Sequence, residues 1–133
     1  MHKFLKMAWK RALSHQFPEN QGFRHCAVLA SGSKLMAIGY NRSGWSSEQA
    51  YKYNTKKLDC CTVHADVDAL LKLKNRDASK GATIYVIRVT RKGELAMSKP
   101  CPMCSMILKE HGVRKAVFSI DSDNNTFGVV DFR

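Results

Sequence analysis

The chain has 133 residues, of which 44% are hydrophobic and 25% charged, an ordinary globular balance that excludes a disordered class and suits one domain, residues 1–133, around a modest core. With 22 Lys+Arg against 11 Asp+Glu, the formal charge of +11 leads us to expect an anionic, phosphate-bearing partner. No apolar run approaches a membrane span, which excludes the bilayer as a partner.

Leu5, Ala8, Trp9, Ala12 and Leu13 recur at helical spacing, so residues 2–15 read as an amphipathic helix with its apolar stripe in the core. Lys3 and Lys6 interrupt this terminus, and no small-residue cleavage site follows, so it does not read as a secretory signal. Five cysteines, an odd count, fit a reducing compartment, and the expected location is cytoplasmic. Residues 24–30 and 34–40 are β-favouring runs separated by Ser31-Gly32-Ser33, which predicts a hairpin. His25, in the first run, reads as a core or interface residue.

Residues 41–62 have no clean period, and a loop of that length in a small domain is usually functional or mobile. Trp45, Tyr51 and Tyr53 can stack a base while Arg42, Lys52 and Lys56 hold phosphate. The same aromatics can equally pack on one another as a lid. Cys60 and Cys61 read as a half-buried thiol and a spectator, with a supplementary metal ligand or redox handle as the alternative.

Thr62 is placed to cap a helix running to about Asn75, with Val67, Leu70, Leu71 and Lys74 facing a sheet. Residues 82–90 predict a central strand, with Arg91 to Glu94 as its turn. Pro102 suits the first turn of a helix that runs to about His111 and stops at Gly112. A strand over 113–120, five turn-forming residues and a last strand over 126–132 leave no room for a crossover helix. The last two strands should therefore be antiparallel neighbours.

Cys101-Pro102-Met103-Cys104 alone is ambiguous, because Cys-x-x-Cys serves zinc knuckles and redox pairs alike. His64-Ala65-Asp66 at the head of the other helix removes most of that ambiguity. His64, Cys101 and Cys104 make a three-ligand zinc set whose fourth tetrahedral position is left open, the mark of a catalytic rather than a closed structural site.

The pair of motifs resembles the His-x-Glu … Pro-Cys-x-x-Cys signature of the zinc-dependent cytidine and deoxycytidylate deaminase superfamily. The resemblance extends through residues 24–29, 37–41, 63–73, 82–89, the cysteine helix and 113–120, in the family's order. It implies a three-layer α/β/α fold with a mixed five-stranded sheet and both zinc-bearing helices on one face. It also implies Zn2+ as cofactor, a dimer or tetramer, and hydrolytic deamination of a cytosine-type base in a nucleoside, nucleotide or polynucleotide. Substrate contacts are implied at Asn41, Ala65 and Pro100, although an Asn after Gly-Tyr is as readily a turn residue.

One position departs from the signature. Where the family carries a catalytic Glu this chain has Asp66, a carboxylate withdrawn by roughly 1.5 Å, one carbon–carbon bond. Asp66 is read as the catalytic proton shuttle, against the alternative of a first-turn acid favoured by the helix dipole. Asp68, on another side of the helix, is a poor substitute. The competing function is a catalytically impaired, zinc-stabilised domain that binds single-stranded nucleic acid or an assembly partner through its basic surface.

Overall fold

The computed structural model describes residues 1–19, 21–43 and 62–132. Helix α1 (Lys3–Ser14) leads into a hairpin of β1 (Arg24–Ser31) and β2 (Lys34–Tyr40). Ser31 pairs with Lys34, and Gly32 between them has φ 58°, the positive value that the first central position of a type II′ turn requires. Two-residue strands β3 (Arg42–Ser43) and β4 (Thr62–Val63) then pair antiparallel, and α2 (Ala65–Leu71) follows. After a single 3-10 turn come β5 (Thr83–Val89), β6 (Leu95–Ala96), α3 (Pro102–Glu110), β7 (Lys115–Asp121) and β8 (Thr126–Asp131).

The main sheet runs β2-β1-β5-β7-β8. Among the described residues only β5 and β7 pair parallel, joined by the crossover through α3, and β7 and β8 are antiparallel as their short connection requires. The mixed five-stranded sheet of the sequence reading is therefore present. A sixth strand, β6, was not foreseen; it folds back on the end of β5 through Arg88↔Ala96 and Val89↔Leu95.

Both faces of the sheet are covered, which is why β5 reads as a nearly continuous apolar run. Ile84 and Val86 point into a core with Ala27 and Leu29 of β1, Val67 and Leu70 of α2 and Ile107 and Leu108 of α3. Tyr85, Ile87 and Val89 point the other way, into Phe4, Leu5, Ala8 and Ala12 of α1. The three layers and the shared face of α2 and α3 follow.

Three local readings need correction. Thr62 does not cap α2: it lies in β4, and His64 holds the N-cap position without a side-chain capping bond. Helix α2 ends at Leu71, where Lys72 takes the C-cap, so Lys74 is exposed and not sheet-facing. In α1 the buried row is Phe4, Leu5, Ala8 and Ala12, and Leu13 at 55% exposure falls outside it. By contrast α3 stops where Gly112, at φ 77°, reverses the chain. Trp45, Tyr51, Tyr53, Lys52, Lys56, Cys60 and Cys61 lie outside the described residues. Among the described residues no helix is long and apolar enough to cross a membrane.

Candidate metal centre and its cavity

Helices α2 and α3 lie in one layer, and His64 and Cys101 occupy their N-cap positions. Pro102 opens α3, and the Cys101 sulfur accepts the Cys104 backbone N–H at 3.4 Å, so both sulfurs are turned to one side of a single helical turn. His64 Nδ1 lies 3.6 Å from Cys101 Sγ and 3.2 Å from Cys104 Sγ, and the three donor atoms all fall within 4.8 Å of one another. A tetrahedron with Zn–S of about 2.3 Å and Zn–N of about 2.0 Å places such donors about 3.5 Å apart. The donor set and its spacing fit zinc.

The three donors share protons with one another. A hydrogen bond from Cys104, joined by one from His64 and opposed by burial, brings the Cys101 thiol down to about 4. Cys104 is pushed up, first by the same bond and then by burial, and His64 is raised by its bond to Cys101. A metal needs both sulfurs as thiolates and the imidazole neutral, so binding would displace the protons held on Cys104 and His64.

Asp66 sits in the first turn of α2, 4% exposed, with Oδ1 accepting the Val67 N–H at 3.1 Å. Burial raises its carboxyl above the ordinary range, opposed by a hydrogen bond with Cys104 and by the nearby His64. A cavity of about 610 Å³ opens over this wall and is lined by His64, Ala65, Asp66, Pro100, Cys101 and Asn41. Cys104 lies behind the wall at 0% exposure. The structure thus brings together every residue singled out for the site.

Asn41 serves the fold as well as the cavity. Its Oδ1 accepts the His25 N–H at 2.8 Å and its Nδ2 donates to the Phe23 carbonyl at 2.6 Å, which fixes the amide's orientation and ties the chain after β2 to β1. The approach to Cys101 is fixed by two buried serines. Ser98 N–H donates to the Ser119 carbonyl at 2.9 Å, Ser119 N–H donates to Ser98 Oγ at 2.8 Å, and Ser119 Oγ donates to the Ala96 carbonyl at 2.7 Å.

Sequence reasoning missed part of the cavity. Phe23, His25, Arg88, Met97 and Lys99 also line it. His25 also faces the cavity: it pairs across the sheet with Arg88, on the face that carries Ala27 and Val86. Burial, then Arg88 and His64, push its imidazole down to about 3, so it is neutral. The alternation of β1 and β5 held this signal, since positions 25, 27 and 29 and positions 84, 86 and 88 share faces.

A family model described as the cytidine and deoxycytidylate deaminase zinc-binding region matches residues 1–120. No curated protein sequence matches the chain. Among solved structures, a cytidine deaminase from Burkholderia pseudomallei superposes with a TM-score of 0.62 at 16% identity, over 99% of this chain and 94% of that one. The dCMP deaminase of cyanophage S-TIM5 superposes with a TM-score of 0.55 at 17% identity, over 92% and 88% of the two chains. The complex of the cyanophage enzyme with dCMP and dUMP gives a TM-score of 0.54 at 17% identity, over 85% and 75%. At these identities the superpositions speak for the fold.

Proposed function

The chain belongs to the cytidine and deoxycytidylate deaminase zinc-binding family, and from that premise we propose that residues 1–133 act as one domain converting a cytosine-type base, in a nucleoside, nucleotide or polynucleotide, to its uracil counterpart. The observation that carries this reading is the convergence of His64 Nδ1, the Cys101 sulfur and a buried carboxylate on one wall of a cavity sized for a small ligand, with the Cys104 sulfur behind it within reach of the same ion.

His64, Cys101 and Cys104 would hold zinc, which when bound supplies the Lewis acid that acidifies water to a nucleophile near neutral pH. Asp66 takes a proton from the attacking water and delivers it to the ring nitrogen, then takes the second proton from the hydroxyl left on the ring carbon, as it becomes the carbonyl, and gives it to the departing amine. Water is consumed and ammonia released. Asn41 orients the sugar or base with the amide hydrogen that it does not spend on Phe23, and Ala65 and Pro100 shape the pocket around the ring. The charge of +11 and the dCMP and dUMP complex of the cyanophage enzyme support a phosphate-bearing substrate. The free thiol of Cys26 supports a cytoplasmic setting, and the exposed edge strand β8, with Val129 at 63% exposure, supports assembly into a dimer or tetramer.

The test is ammonia release by the wild type, Asp66→Glu and Asp66→Ala on cytidine, deoxycytidine, their monophosphates and single-stranded oligonucleotides. Asp66→Ala should lower turnover by about a hundredfold or more while keeping its zinc. Asp66→Glu should raise turnover, because the family's longer side chain restores the reach that the shorter acid lacks. A second reading rests on that same shortened acid: a zinc-stabilised domain that binds single-stranded nucleic acid. It wins if none of the three proteins deaminates anything while all bind oligonucleotide with a steep salt dependence.

A further inference from the structure

Arg88 extends the row of Ile84 and Val86 on β5, the face beneath α2 and α3, and so reaches the same cavity as His64 and Asp66. Its Nε is buried and, among the described residues, has no hydrogen-bond partner. The guanidinium carbon stands 4.3 Å from the centroid of the Phe23 ring, a cation–π contact that holds the plane of the fork at the cavity wall. A buried N–H without an acceptor is rare in a folded protein and calls for a reason.

The other cations of the cavity do not explain it. Arg42 is committed to Asp68 at 2.8 Å, and Lys99 is exposed at the rim. Asp66, on the metal wall, is the one carboxylate among the described lining residues. Among the described residues, Arg88 therefore has no anion of its own at the cavity wall.

We propose that Arg88 is the phosphate-recognising residue of this cavity and makes the site select a pyrimidine nucleoside monophosphate over the free nucleoside. The inference rests on the deaminase reading for the identity of the base. A planar guanidinium fork pairs two of its N–H groups with two oxygens of one phosphate, whereas a base carbonyl would offer a single neutral acceptor and leave the charge unmatched. The concave cavity of about 610 Å³ favours a mononucleotide, because it falls in the range of small-molecule sites.

The experiment is calorimetric titration of the zinc-loaded protein with uridine and uridine 5′-monophosphate, products that undergo no turnover. The wild type should bind the monophosphate at least about tenfold more tightly than uridine, and inorganic phosphate should compete with the monophosphate. Arg88→Met should weaken the monophosphate by about 10- to 100-fold while leaving uridine within about twofold, and Arg88→Lys should retain part of the preference. If Arg88→Met fails to fold, Arg88→Lys carries the comparison, since any loss it shows must fall on the monophosphate alone. Equal binding of both ligands by the wild type overturns the proposal. So does a parallel weakening of both, or Arg88-dependent binding of a single-stranded pentanucleotide without binding of the monophosphate. Arg88-dependent binding in a protein that releases no ammonia would sink the deaminase reading and leave the role of Arg88 standing.

Discussion

Asp68 Oδ2 accepts the backbone N–H of Tyr40 at 3.0 Å, fastening α2 to the end of β2. The same carboxylate holds Arg42 Nε at 2.8 Å and Lys72 Nζ at 3.1 Å while only 2% exposed itself. It is the anchor of the helix that carries His64, not a spare catalytic acid. Because Arg42 and Lys72 are 43% and 49% exposed, water screens much of both ion pairs. The buried acceptor for Tyr40 is the larger loss.

Asp68→Ala is accordingly expected to cost about 1–3 kcal/mol of folding stability, and Asp68→Asn less because an acceptor oxygen remains. Urea midpoints of the two variants check this, and equal midpoints for wild type and Asp68→Ala would refute it.

Gly39 is where β2 touches α2. A Cβ there would run into the Ala65 carbonyl and the Ala69 amide, both backbone atoms that cannot swing aside. Gly39→Ala should therefore push α2 off the sheet, cost about 1–3 kcal/mol or more, and loosen zinc by moving His64 away from the cysteines. Thermal unfolding measured together with zinc retention against a chelator tests both consequences.

The metal centre predicts a stoichiometry. The wild type should carry about one zinc per chain, and His64→Ala, Cys101→Ser and Cys104→Ser should each lose it, because three protein ligands leave no redundancy. Elemental analysis decides. Wild-type protein that stays metal-free in zinc-supplemented buffer would remove the centre.

His25 predicts a pH dependence. Its imidazole is held down at about 3, chiefly by burial, whereas an unfolded histidine titrates near its ordinary value of 6.5. Between those values the unfolded chain binds one more proton than the folded one, so stability rises with pH through this window and is fully present above 6.5. The contribution of this one group falls by about 1.4 kcal/mol for each unit below the unfolded value. Denaturant midpoints of wild type and His25→Gln between about pH 4.5 and 5.5 should differ in slope by close to one proton. Matching slopes would show that His25 is free to charge in the folded state.

The strand and helix pattern was legible because local chemistry carries it. The glycine of Ser31-Gly32-Ser33 takes the positive φ of its turn, Gly112 ends the cysteine helix, and the short link after residue 121 leaves β7 and β8 no choice but to lie antiparallel. Local signals misled where tertiary contacts outvoted them. Thr62 has a capping side chain, but its backbone was recruited into pairing with Ser43. Leu13 has the right spacing for the core, yet the sheet receives the row of Phe4, Ala8 and Ala12.

Sequence by itself determined the metal ligands, since an imidazole and two thiols at the heads of two helices need only short-range spacing to be recognised, and with them the family and the order of the elements. Only the tertiary structure decided what surrounds them: His25 beside Arg88, Asp68 beneath Tyr40, Ser98 against Ser119. Those pairs are separated by 63, 28 and 21 positions. Which of them meet is set by strand order and register, where a slip of one residue would turn every side chain of a strand to the opposite face.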